Sequence, residues 1–164
     1  SQRYAETPAE YREILRRQYT LLAELMGDLP RESLIVIAPD WDGRDITSGW
    51  SRRLLPAACP WQEVPDEEGF STYLWVQEGI TAPQLERLLL GIADDEGRVV
   101  LVPPDLRWCL RPYDGGVDVV LPDAAARDAL RDRHRDWLPS CSAEDLLAEH
   151  LRYGAESCSC RAAD

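Results

Sequence analysis

The chain has 164 residues, 45% of them hydrophobic and 29% charged, with a formal net charge of −12. That length and composition exclude a disordered polymer and suffice for one domain with its own core, without disulfide or metal staples. The acidity argues against nucleic acid, whose phosphates are bound by clustered cations, and is compatible with a basic protein partner steered in by charge.

The longest apolar runs, 34–38 and 99–102, are far too short to cross a bilayer, and the polar stretch Ser1–Glu6 has no apolar signal region. No membrane partner is therefore expected, and the location read from the sequence is cytoplasmic. The five cysteines (Cys59, Cys109, Cys141, Cys158 and Cys160) are an odd count, read as free thiols in a reducing compartment. All 18 basic residues are arginine, so lysine-based nucleophilic or Schiff-base chemistry is ruled out.

In chain order, Thr7-Pro-Ala-Glu10 has the form of a capping box with proline at the first helical position. Tyr11, Ile14, Leu15, Gln18, Leu22, Leu25 and Met26 then share one stripe, so a helix is predicted over 8–27, ended by Gly27 and Pro30. Leu34–Ala38 reads as a buried strand, and the acidic stretch after Pro39 as a loop; 50–60 is rich in turn formers. Trp61–Val64 and Ser71–Gln77 flank the turn signal Pro65-Asp-Glu-Glu-Gly69 and should pair as an antiparallel hairpin. Thr81-Ala-Pro-Gln84 caps a helix whose buried face is Leu85, Leu88, Leu89 and Ile92. The turn Asp94–Gly97 leads to a strand over 98–102.

The stretch 107–121 alternates on both sides of Asp114-Gly115, a dipeptide suited to a tight hairpin turn. It is expected to form two strands near the middle of the sheet, with Tyr113, Asp114, Gly115, Gly116 and Asp118 as structural hairpin residues. Valine at Gly115 should then strain the turn more than valine at Gly97, read as a surface turn with little packed on it. Beyond Leu121, Ala126, Leu130 and Trp137 mark the buried side of a helix, Ser142 caps a last one, and 154–164 reads as a loose tail. The sum is a single α+β domain over 1–153, with a mainly antiparallel sheet of about five or six strands carrying helices.

Catalytic patterns are sparse. No nucleophile elbow, phosphate-cradling glycine loop, H-E-x-x-H or dinucleotide fingerprint occurs. His134 and His150 fall on predicted helices among charges, and with Cys158 and Cys160 they do not make a familiar zinc spacing. Asp40, Asp42 and Asp45 lack the spacing of a calcium loop. No cofactor or metal is therefore expected. Pro112-Tyr-Asp-Gly-Gly-Val-Asp118, Arg127-x-x-Leu130 and Trp137-Leu138 resemble the C-terminal signature of an uncharacterised family of small bacterial proteins. The resemblance covers 107–138 and carries no established activity. By class association it implies an immunity protein.

The functional expectation is a non-catalytic inhibitor or immunity protein that neutralises a basic toxin or effector through an acidic, tryptophan-bearing surface. Asp40, Trp41, Asp42, Asp45 and Trp50 are the candidate partner-binding residues, because tryptophan is enriched at binding surfaces. The alternative is a metal-assisted hydrolase using Asp40, Asp42, Asp114 or Asp118.

Overall fold

The computed structural model describes residues 5–40, 50–65, 71–114 and 116–138. Helix α1 runs Pro8–Met26 and starts as its sequence dictates. The Glu10 carboxylate accepts from the Thr7 backbone N–H at 2.9 Å, while Thr7 Oγ1 accepts from the Glu10 N–H at 3.3 Å. Two donors with no partner inside the helix are thereby satisfied. Gly27 closes the helix with φ of 55°, a backbone region that a Cβ disfavours. Gln18, Leu21, Leu22 and Met26 form the buried stripe.

Six strands build one antiparallel sheet: β1 (Ile35–Asp40), β2 (Cys59–Pro65), β3 (Ser71–Gln77), β4 (Val100–Val102), β5 (Cys109–Tyr113) and β6 (Gly116–Val120). Their spatial order is β2-β3-β1-β4-β5-β6. The expected α+β fold with an antiparallel sheet is what forms, and both local hairpins pair as read. One placement differs. The β5–β6 hairpin does not lie at the middle of the sheet; β6 is an edge strand, and β1 and β4 hold the centre. A turn dipeptide dictates which two runs pair locally, but the centre goes to strands whose partners are distant in sequence. β1 and β4 pair with each other in this way, Val36 standing opposite Leu101.

The register explains the core. Gln77, Val36, Leu101, Leu110 and Val119 stand opposite one another across five strands. Side chains of directly paired residues share a face, and the first four of this row are buried. The one polar member, Gln77, accepts through Oε1 from the Ala57 backbone N–H at 3.1 Å, so its carbonyl is not left bare. Helix α3 (Ala82–Ala93) packs against β5, and its Leu85, Leu88, Leu89 and Ile92 are 0–1% exposed. Helix α1 packs on α3 in turn, and the Tyr11 hydroxyl donates to Asp94 where α3 ends.

A short helix, α2 (Trp50–Leu54), is a feature that the periodicity did not reveal, since five residues cannot display a 3.6-residue repeat. Its packing is specific. Trp50 and Leu54 are one turn apart and rest on glycines near the end of α3. A Cβ on Gly91 would stand 2.6 Å from Leu54 Cδ1, and one on Gly97 would collide with the Trp50 indole. Arg53 pairs with Glu96 between them. The reading of Gly97 as a loosely packed surface turn is therefore corrected: its bare Cα is the floor on which Trp50 lies. Gly115, its intended counterpart, lies outside the described residues.

The chain divides into two compact units, Ser1–Ala124 and Ala125–Asp164. The whole sheet belongs to the first. At the boundary opens α4 (Ala124–Arg133), in which Leu130 is the buried residue, as its sequence position suggested. Asp128 takes ion pairs from Arg127 at 3.0 Å and Arg131 at 3.4 Å on the exposed side, and the Trp137 ring stacks on His134 just beyond the helix. The helix expected after Ser142 and the tail 154–164 lie outside the described residues.

Candidate functional site

The β2 strand has the sequence Cys-Pro-Trp-Gln-Glu-Val-Pro, and every one of its residues is exposed. Its composition gives the reason. Prolines at positions 60 and 65 cannot donate ladder hydrogen bonds, which confines such a strand to an edge, and nothing in it alternates apolar with polar. Two large apolar side chains nonetheless stand in solvent, Trp61 at 55% and Val64 at 41%. An exposed tryptophan on an ordered strand is costly to retain, since burial of so large a ring is worth several times the energy of an ordinary contact.

The register around Trp61 is irregular. Pro60 pairs with Trp75 and Gln62 with Leu74, so Trp61 is an extra residue bulged out of the ladder. Without it, alternation would set Gln62 opposite Tyr73. With it, Glu63 takes that position, and the Tyr73 hydroxyl donates to Glu63 Oε1 at 3.2 Å. Residues 60–63 of β2 and Tyr73, Leu74 and Trp75 of β3 together line a groove of about 320 Å³. Trp75 is buried beneath it and only 7% exposed. The groove thus combines three aromatic rings with the Glu63 carboxylate and the Gln62 amide.

The sequence-derived partner residues begin beside this hairpin. Asp40 is the last residue of β1 and pairs through its backbone with Tyr73. Trp41, Asp42 and Asp45 lie outside the described residues. Trp50 is half-buried against Gly97. The β5–β6 hairpin closes at the Tyr113–Gly116 pair, and the Tyr113 ring covers Gly116, with its hydroxyl oxygen 3.1 Å from where a Cβ would stand. Asp118 is exposed and sits directly across from Arg111. Burial, then the charges of Asp118 and Asp114, push the Tyr113 hydroxyl above its ordinary pKa. Tyr113, Asp114 and Asp118 are therefore neighbours electrostatically, but they supply neither a nucleophile with an adjacent base nor, among the described residues, a group of three metal-ligand side chains.

The sequence expectation placed the partner surface on the loop before Trp50, where Trp41, Asp42 and Asp45 lie outside the described residues; Trp61 is a further candidate that it did not name. The signal was present: a tryptophan between a proline and two polar residues, in a run bracketed by prolines, is the mark of an exposed edge. A second concavity of about 440 Å³ lies between α1 and α3, walled by Leu22, Met26 and Leu85, with Arg31 at its rim. Arg31 lies over the Tyr19 ring, 5.6 Å from its centre.

These features define an α+β protein with a six-stranded antiparallel sheet, two local hairpins at its flanks and an aromatic groove on one of them. The chain belongs to the family described as Domain of unknown function (DUF3885), whose model matches residues 1–142. No curated protein and no solved structure matches it. Among the described residues no helix is long and apolar enough to cross a membrane.

Proposed function

We propose that this is a non-catalytic binding protein that engages a basic protein partner through the β2–β3 hairpin. The observation that carries the reading is the wholly exposed β2 strand with Trp61 bulged from it. Exposed aromatic residues on rigid elements are what binding surfaces concentrate. The net charge of −12 selects the sign of the partner. Within that reading the partner is a toxin or effector which this chain neutralises, and the shared compartment is a reducing cytoplasm, in keeping with the free Cys59 and Cys109 thiols.

The test is affinity capture on the immobilised full chain and on its Trp61→Ala variant, at low and high salt. A basic protein should be retained by the wild type, released by salt and held more weakly by the variant. It should also be toxic when expressed alone and harmless when co-expressed with this chain. Capture that is indifferent to Trp61 and to salt would overturn the proposal.

A further inference from the structure

We propose that the groove on the β2–β3 hairpin is a seat for one arginine side chain of the basic partner, stacked on its aromatic walls and paired with Glu63. This rests on the proposed binding role and names the chemistry of its contact. Tyr73 and Trp75 are two residues apart on β3 and so project from the same face. The register sets Pro60 beside Trp75 and Glu63 beside Tyr73, on that same face. The bulge at Trp61 is what sets the Glu63 carboxylate directly across from Tyr73, and the Gln62 amide lines the groove beside it.

Aromatic faces carry negative potential and attract a cation held within about 6 Å of the ring centre. A planar guanidinium adds stacking and a two-pronged fit to a carboxylate, which an ammonium lacks. The volume of about 320 Å³ is at the bottom of the range for small-molecule pockets and suits a single side chain. Tyr73, which donates to Glu63, holds the carboxylate in place. A second copy of this chain is a poor occupant, because each copy brings a net charge of −12 and the residues following Pro65 are Asp66, Glu67 and Glu68.

The experiment is calorimetric titration of the full chain with hexa-arginine and hexa-lysine peptides, in wild type, Trp61→Ala, Glu63→Gln and Glu86→Gln. Glu86 is an exposed residue of α3, so the two glutamine variants carry the same net charge and differ only in place. Hexa-arginine should bind wild type several-fold tighter than hexa-lysine. Trp61→Ala and Glu63→Gln should each lose about tenfold, the scale of one desolvated cation–aromatic or charge-paired contact, while Glu86→Gln stays within about twofold. Equal losses for Glu63→Gln and Glu86→Gln would mean diffuse attraction only, and equal affinities for the two peptides would mean that no guanidinium is recognised; either result overturns the seat. Sedimentation of the free chain supplies the remaining arm, and a dimer dissolved by Trp61→Ala would assign the groove to a second copy instead. Partner capture that depends on Trp61 but not on Glu63 would leave the binding role standing and remove only the arginine seat.

Discussion

The row Gln77–Val36–Leu101–Leu110 and the strand β2 belong to the same sheet, yet they answer to opposite rules. In the row every side chain is at most 3% exposed, and its one polar member has a backbone partner. In β2 nothing is buried, a residue is inserted into the ladder and prolines stand at both ends. The row can be explained by folding energetics alone. β2 cannot, because removing Trp61 from solvent would be favourable and the native fold does not do it. A region that folding does not explain is where a requirement from outside the chain should be sought, and the groove beside Trp61 has the right shape for one.

The sharpest way to break this comparison is to truncate a tryptophan on the buried side. Trp108 is 4% exposed and two residues before Leu110, so it faces the same core. Trp108→Ala should cost about 3–5 kcal/mol in a urea melt, the usual range for emptying a buried aromatic site. Its indole nitrogen is buried and has no hydrogen-bond partner among the described residues, so the loss comes from packing rather than from a broken hydrogen bond. A loss below that of an exposed site would mean that this end of the sheet is not core.

The next effect concerns the α2–α3 contact. Valine at Gly97 must displace the Trp50 indole, and overpacking of that kind costs roughly 1–3 kcal/mol. The same melts read it, and a variant as stable as wild type would show that Trp50 can leave without consequence. A smaller change of opposite sign is expected inside α1. Gln18 is 2% exposed, and neither its amide nitrogen nor its oxygen has a partner among the described residues. Gln18→Met keeps the volume and removes the unsatisfied groups, so stability should rise by about 1 kcal/mol. Destabilisation would imply that the amide makes a polar contact of its own.

Much of this was legible in advance. Capping boxes at Thr7 and Thr81, the apolar stripe of α3 and the two hairpins follow from local chemistry, and each forms where the residues place it. What escaped the sequence was non-local. The centrality of β1 and β4 depends on pairings between strands some 65 residues apart, which no turn signal announces. The role of Gly97 depends on a tryptophan 47 positions earlier. Of the candidate site, Trp41, Asp42 and Asp45 lie outside the described residues, and the exposure of Trp61 became visible only through the bulged register, which depends on pairing and not on composition.

A pH series tests the exposed side of α1. Arg16 and Arg17 donate to Glu13, each at 2.7 Å, and hold its carboxyl down at about 2. The folded value lies below the unfolded one, so the contribution is fully present above about pH 4.5 and fades as pH falls towards 2. The stability gap between wild type and Glu13→Gln should therefore close over that window. It should also shrink in high salt, since both ends of the pair are solvent-exposed. A gap that widened on acidification would reverse the sign of the assigned interaction.

The smallest effect on folding is expected where the largest effect on binding is proposed. Trp61 is 55% exposed, and as the bulged residue it has no partner in the β3 register. Trp61→Ala removes no packed core contact, and substitution at such a surface position should leave stability within about 0.5 kcal/mol of wild type. Trp108→Ala is the matched control, the same chemical change made at a buried position. If Trp61→Ala unfolds the chain at much lower urea, the exposed ring is holding the hairpin together, and its exposure needs no partner to explain it. If the two melts separate as expected, the ring is dispensable to the fold. A tryptophan that folding does not need, held in solvent on an ordered strand beside Glu63 and Tyr73, then remains available for the binding role proposed for it.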